Sequence, residues 1–237
     1  MSPIVSNIES EQKLDEEAEL REQRKKEREE QHLYLGCKII TDDTFRAHGG
    51  TDLTAFDRAH SEMDPAAPRF FRALRKSNMK ELIVRLGEAT NVDPKRIRLW
   101  CMVNRQNKTI RPDVPVDMTT TVEDAHQRLG GSKSADLRLW AEIAEEVNSE
   151  GDAIWPATPA QANGVVPKTD LIVLFLKWFD VETQSLTGAG HIYISKEKKV
   201  EDLVPAILKK MGWTEKIQLR LFEVCGIPLT ERILLTV

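Results

Sequence analysis

The chain has 237 residues, 41% hydrophobic and 30% charged, with 34 basic against 38 acidic side chains and a formal net charge of -4. That length exceeds one typical domain and suits about two compact units plus a tail. The charge balance lacks the basic excess with which a domain tracks phosphates, which excludes nucleic acid as the main ligand.

Met1 to Ser10 show neither the basic start nor the apolar stretch of a secretory leader, so none is expected. From Glu9 to Gln31 nearly every residue is charged or Gln, interrupted only by Leu14, Ala18 and Leu20, with no Gly or Pro. Glu17 with Arg21 and Glu22 with Lys26 are i,i+4 pairs, each adding about 0.2–0.5 kcal/mol to a solvated helix. Residues 1–31 therefore read as a charged connector helix. It lacks the apolar a and d positions of a coiled coil, so a monomer is expected.

At His32 the pattern changes and a first domain, 32–147, begins. Leu33, Leu35, Cys37 and Ile39 alternate with Tyr34, Gly36, Lys38 and Ile40, the period of a strand. Arg46 to Pro68, with Gly49 and Gly50, reads as a long surface loop before a short strand at Phe70 to Leu74. Ser77 or Asn78 can cap a helix carrying Met79, Leu82, Ile83 and Leu86 on one face, with Gly87 and Pro94 marking its end. A strand at Ile97 to Val103 follows, then a polar loop. At Leu137 to Ile143 strand and helix patterns compete, and strand is preferred.

Asn148 to Lys168 turn to Gly, Pro, Ala and Asn, a composition that cannot bury enough apolar surface to offset ordering, and 148–168 reads as a linker. A second domain, 169–237, starts with Leu171 to Phe179. Its apolar run, Leu171 to Leu176, falls far short of the roughly 20 residues that span a bilayer. Turn residues Thr183 to Ser185 and a strand at Gly190 to Ile194 complete a hairpin. Val200, Leu203, Val204, Ile207, Leu208 and Met211 then mark a helix with Lys209 and Lys210 in its last turn and Gly212 beyond. Pro205 fits only if it lies near the first turn. A strand at Ile217 to Val224 follows. Both halves read hairpin, helix, strand, and Ile97-Arg98-Leu99-Trp100 echoes Leu219-Arg220-Leu221-Phe222.

Sites for chemistry are sparse. Cys37, Cys101 and Cys225 are too scattered for a disulfide framework or a metal site, and Cys37 and Cys101 fall in strands rather than at a helix N-terminus that would activate a thiol. His32, His48, His60, His126 and His191 form no metal-binding pattern. The run Gly130 to Ser134 lacks phosphate-loop spacing. Trp100, Trp140 and Trp178 lie in strands and read as core, whereas Trp155 and Trp213 are placed to be partly exposed. The residues themselves assign no catalytic, cofactor or metal site.

Several runs carry a resemblance. They are Arg24-Lys25-Lys26-Glu27-Arg28-Glu29-Glu30-Gln31-His32-Leu33-Tyr34-Leu35, Val103-Asn104-Arg105-Gln106-Asn107, Leu174-Phe175-Leu176-Lys177-Trp178-Phe179-Asp180, Gly190-His191-Ile192-Tyr193 and Leu229-Thr230-Glu231-Arg232-Ile233. Together, from about Glu16 onward, the chain resembles the region after the catalytic domain in the herpesvirus-associated ubiquitin-specific protease family, in a fungal version. The resemblance implies an α+β fold of tandem ubiquitin-like β-grasp modules behind a connector helix, the first two of which recruit substrates and a herpesvirus immediate-early protein. The family's catalytic Cys and His boxes would lie upstream, so no position here inherits a catalytic role. Its acidic, peptide-contacting segment would fall beyond Val237, so no partner-binding residue carries over. The second module is then expected to be truncated, leaving Leu171 to Phe179 as an unpaired edge in the middle of its sheet.

The reading is thus a non-catalytic protein-binding segment of a deubiquitinase. It would need no cofactor, bind substrates or regulators of the parent enzyme, touch neither nucleic acid nor membrane, and act as a monomer in nucleus and cytoplasm. The rivals are a free-standing cysteine hydrolase and a helical assembly or scaffold protein.

Overall fold

A computed structural model of the protein describes residues 20–22, 25, 29–61, 63–104, 110–128, 134–156, 171–214, 218–223 and 233–236. Leu20 to Glu22, Lys25, Glu29 and Glu30 are helical, as the charge pattern predicts, while Glu17 and Lys26, half of each expected ion pair, lie outside the described residues. A 3-10 turn at Gln31–Leu33 leads into β1 (Tyr34–Ile40), whose side chains alternate between the two faces of a sheet.

Where β1 ends, Thr41 and Thr44 form a reciprocal capping box, each hydroxyl accepting the other's backbone N–H at 3.3 Å, and start a short helix α1 (Asp42–Ala47). The sequence reading places the last two residues of this helix, Arg46 and Ala47, in a surface loop. The stretch after it is irregular, but it is not confined to the surface: Leu53, Thr54, Phe56, Ala66 and Ala67 are buried. The loop folds back because these side chains have an uncovered sheet face to fill. Strand β2 (Arg69–Leu74) then pairs antiparallel with β1.

Asn78 caps helix α2 (Met79–Thr90), its side chain accepting from Glu81 N. Gly87 does not end this helix. It sits inside, where a Cβ would come within 2.7 Å of Val92 O, and the helix instead closes at Asn91 in the left-handed conformation, φ 54°. Met79, Leu82, Ile83 and Leu86 pack on β1, on β3 (Ile97–Asn104) and on β5 (Leu137–Ile143), and with Cys37, Leu99, Cys101 and Leu139 they form the first core. The stretch read as a polar loop holds β4 (Ile110–Pro115) and helix α3 (Val122–Arg128). Pro112 and Pro115 hide β4 in the sequence, since proline is tolerated only at sheet edges, and β4 is an edge. The sheet order is β2-β1-β5-β3-β4, with β1 and β5 parallel. The segment assigned to a linker opens inside a tight hairpin, β6 (Glu146–Val147) against β7 (Ala153–Ile154).

A four-stranded sheet follows, built from β8 (Leu171–Asp180), β9 (Ser185–Ser195), β10 (Arg220–Glu223) and β11 (Ile233–Thr236) in the order β10-β11-β8-β9. A 3-10 turn at Val200–Asp202 runs into helix α4 (Leu203–Met211), so Pro205 falls in the first α-helical turn, and Gly212 closes it at φ 66°. Leu203 and Ile207 pack with Leu176, Ile192, Leu174 and Trp178 in a core of their own. The open interior edge expected along Leu171 to Phe179 is not what the ladder shows. β11 lies parallel to β8, Ile233 opposite Leu176 and Leu235 opposite Trp178, and occupies that position.

The two sheets share a core. Phe175 of β8 packs with Ile40, Phe45, Leu53, Phe56, Trp100, Met102 and Trp140 on the face of the first sheet opposite α2. This explains why β8 reads as nearly continuous apolar sequence: Leu174, Leu176 and Trp178 face α4 while Phe175 faces the first sheet, so both sides are covered.

Candidate functional site

The antiparallel register of β3 and β5 sets Arg98 opposite Glu142 and Trp100 opposite Trp140. Strand alternation turns these four side chains away from the α2 core, toward the second sheet. The Glu142 carboxylate is 3% exposed and lies in the middle of them. Its Oε2 accepts from Arg98 Nε at 3.0 Å, Arg98 Nη2 at 2.7 Å and Trp100 Nε1 at 2.6 Å. Its Oε1 accepts from Tyr193 OH of β9 at 2.6 Å. Arg98 Nη2 also donates to the Tyr193 oxygen at 3.2 Å.

Two residues along β9, His191 places Nδ1 2.8 Å from Asp42 Oδ2 at the start of α1 and Nε2 3.8 Å from Glu142 Oε1. Its ring stands edge-on to Trp140, centroids 4.8 Å apart, and to Tyr193 at 5.7 Å. Trp140 Nε1 donates to Asp42 Oδ1 at 3.3 Å. The Lys177 ammonium of β8, fully buried, donates to Gly50 O and lies 4.9 Å over the Phe45 ring. β9 approaches α1 so closely at Gly188 that a Cβ there would fall 2.3 Å from Phe45 O. Apart from the His191–Tyr193 and Trp140–Asp42 pairs, these contacts join the first sheet and its loop to the second hairpin.

Burial pushes the Asp42 carboxyl up, but the hydrogen bond and charge of His191, with Arg46 and Lys210 nearby, outweigh it and hold the group below its ordinary value. Burial beside the Glu142 carboxylate raises the Tyr193 phenol, which stays a neutral donor. At the rim, Lys210 of α4 pairs with Glu145 and lowers its carboxyl. The rim encloses a cleft of about 730 Å³ between the sheets, walled by Trp155, whose ring lies 4.3 Å under the Arg98 guanidinium.

The arrangement is a network of hydrogen bonds across the junction. Glu142 accepts from two guanidinium N–H groups, an indole N–H and a phenol O–H. Cys37 and Cys101 are buried in the first core, and burial pushes both thiols up to about 12, far from a nucleophilic thiolate. Cys225 and Gly130 to Lys133 lie outside the described residues. No cluster suited to a metal ion occurs among the described residues. Trp100 and Trp140 are core, as expected, Trp178 is half-buried against Trp213, and Trp155 is half-buried on Arg98. The sequence reading missed Asp42, Arg98, Glu142 and Tyr193 as a group and set His191 aside. The signal was present in Arg98, Glu142 and Lys177, charges standing inside otherwise apolar strands.

The sequence profile described as the ICP0-binding domain of Ubiquitin-specific protease 7 matches residues 97–234, more than half of the chain, from β3 of the first sheet into the second sheet. Ubiquitin carboxyl-terminal hydrolase 15 of Schizosaccharomyces pombe is 31% identical over 211 residues, 89% of this chain and 18% of that protein. Ubiquitin carboxyl-terminal hydrolase 5 of the same yeast is 25% identical over 86% of this chain and 17% of its own length. Ubiquitin C-terminal hydrolase 13 of Arabidopsis thaliana is 25% identical over 89% of this chain and 18% of its own length. The chain thus spans less than a fifth of these relatives. It belongs to the family of the ICP0-binding domain of Ubiquitin-specific protease 7, within the ubiquitin carboxyl-terminal hydrolases.

Proposed function

We propose that the chain is a non-catalytic protein-binding segment of a deubiquitinase, composed of two ubiquitin-like β-grasp modules, that recruits substrates or regulators to the peptidase. One observation carries the reading: the order β2-β1-β5-β3 recurs as β9-β8-β11-β10, each time with first and last strands parallel and a helix after the hairpin. The family description supplies the binding role, and the buried thiols argue against a free-standing hydrolase. The segment acts as a monomer on protein partners, in nucleus and cytoplasm.

The test is capture. The immobilised chain should retain substrates or regulators of the parent enzyme from extract, and deleting it from the parent should lower turnover of those substrates while sparing a fluorogenic ubiquitin conjugate. Hydrolysis of that conjugate by the chain alone, abolished by alkylation, would return the hydrolase reading. Light scattering that showed a dimer lost on removing residues 1–30 would favour the assembly reading.

A further inference from the structure

Around Ile40, Trp100, Met102 and Trp140 the face of the first sheet opposite α2 is covered by the loop after α1 and by the second hairpin, which leaves the edge for binding. Strand β2 is one such edge. We infer that β2 takes up an extended, acidic peptide as an additional strand; this rests on the protein-binding reading above and names the class of partner.

The backbone is arranged for it. Arg75 N donates to Leu33 O, and Leu35 stands opposite Ala73 and Cys37 opposite Phe71, so the odd-numbered residues bond to β1. By alternation, Phe70, Arg72 and Leu74 turn their backbone groups outward. One of those groups shows its need of a partner: the Arg72 carbonyl accepts from the Arg85 guanidinium of α2 at 2.8 Å. Arg85 therefore stands where the donor of a further strand would stand.

The side chains specify what would pair. Phe70 and Leu74 are 45% and 44% exposed on the face away from α2, and the Arg72 guanidinium lies between them, spread 4.3 Å over the Tyr34 ring. The Arg85 guanidinium lies 5.4 Å over Phe71 on the other face. Among the described residues, neither Arg72 nor Arg85 has a carboxylate partner. Lys76 and Lys80 are exposed nearby. Cross-strand pairing then asks for apolar residues opposite Phe70 and Leu74, a carboxylate opposite Arg72, and acidic flanks. Charged side chains also guard exposed edges against self-pairing, and that simpler role is one of the outcomes below.

The experiment titrates the full chain with a fluorescently labelled peptide alternating Ile and Glu. A charge-reversed peptide with Lys for Glu and a proline-interrupted one are run beside it. The acidic peptide should saturate, weaken as salt rises, and shift the amide resonances of Phe70, Arg72 and Leu74, while the proline peptide should fail. Arg72→Glu with Arg85→Glu should lose about tenfold in affinity. Amide mapping on the unaltered chain decides the matter even if the double variant does not fold. Equal binding of both charge types, shifts confined to the Trp155 cleft, no saturation, or variants that merely self-associate at unchanged affinity would each overturn the inference. If those variants still capture partners from extract, the recruiting function stands and this edge is not its site. If the peptide binds but extract yields nothing, the recruiting function fails and the edge stands.

Discussion

His191 Nδ1 sits 2.8 Å from Asp42 Oδ2, a hydrogen bond that joins the second hairpin to the first helix across 149 residues of sequence. Asp42 is depressed below its ordinary value of 3.8 largely by this neighbour, against the opposing effect of burial. A carboxylate with a depressed folded-state pKa stabilises the fold fully above its unfolded value and loses that contribution as the pH falls through the folded one. The window therefore opens at pH 3.8 and runs downward. Urea unfolding of the protein and of Asp42→Asn should give a stability gap that narrows as acid is added below this point. A gap that widens there contradicts the assignment.

Glu142 is the most consequential single side chain in the junction. Glu142→Ala removes the carboxylate that faces a buried guanidinium, the Trp100 N–H and the Tyr193 hydroxyl, and should cost about 3–5 kcal/mol by chemical denaturation at neutral pH. Replacing a simple buried ion pair by apolar residues is often neutral. Here Arg98→Met with Glu142→Leu should remain destabilised, because Trp100 and Tyr193 still lose their acceptor. Full recovery in that double variant would mean the two aromatic donors contribute nothing.

Gly188 should not tolerate a side chain. A Cβ there meets Phe45 O at 2.3 Å and the Phe45 ring at 2.9 Å, so Gly188→Ala must push β9 off α1, at about 1–3 kcal/mol. The shift should appear as faster amide exchange in α1 as well as in β9. An unchanged melting temperature would show that the approach is looser than described.

Because Phe175 packs into a core whose other buried members come from the first sheet, α1 and the loop after it, the two sheets should unfold together. Calorimetry should give a single transition with equal calorimetric and van't Hoff enthalpies, and Phe175→Ala, costing about 3–5 kcal/mol, should lower exchange protection around Trp140. Two resolved transitions would refute the shared core.

Much of the scaffold was legible because local patterns dictate it. β1 alternates, Asn78 and Gly212 cap their helices, and Pro205 sits where a first turn accepts it. What escaped was short or non-local. Helix α1 has six residues and is started by a threonine pair rather than the Ser/Thr with Glu/Gln of the usual box. β4 carries two prolines, and β6 and β7 have two residues each. The polar junction joins Asp42, Arg98, Glu142 and His191, residues with no spacing in common, so only the oddity of charges within apolar strands hinted at it.

The parallel pairings have a mechanical meaning. In each unit the strand where the chain enters lies alongside the strand where it leaves, β1 with β5 and β8 with β11. Tension applied along the chain would load such a pair in shear, so that its bonds must rupture together rather than open one by one like a zip. The first pair matches Cys37 to Ile40 with Leu137 to Trp140, and among the described residues the second matches Leu176 to Trp178 with Ile233 to Leu235. Under pulling, the rate of that rupture, rather than equilibrium stability, would set how long each unit withstands force.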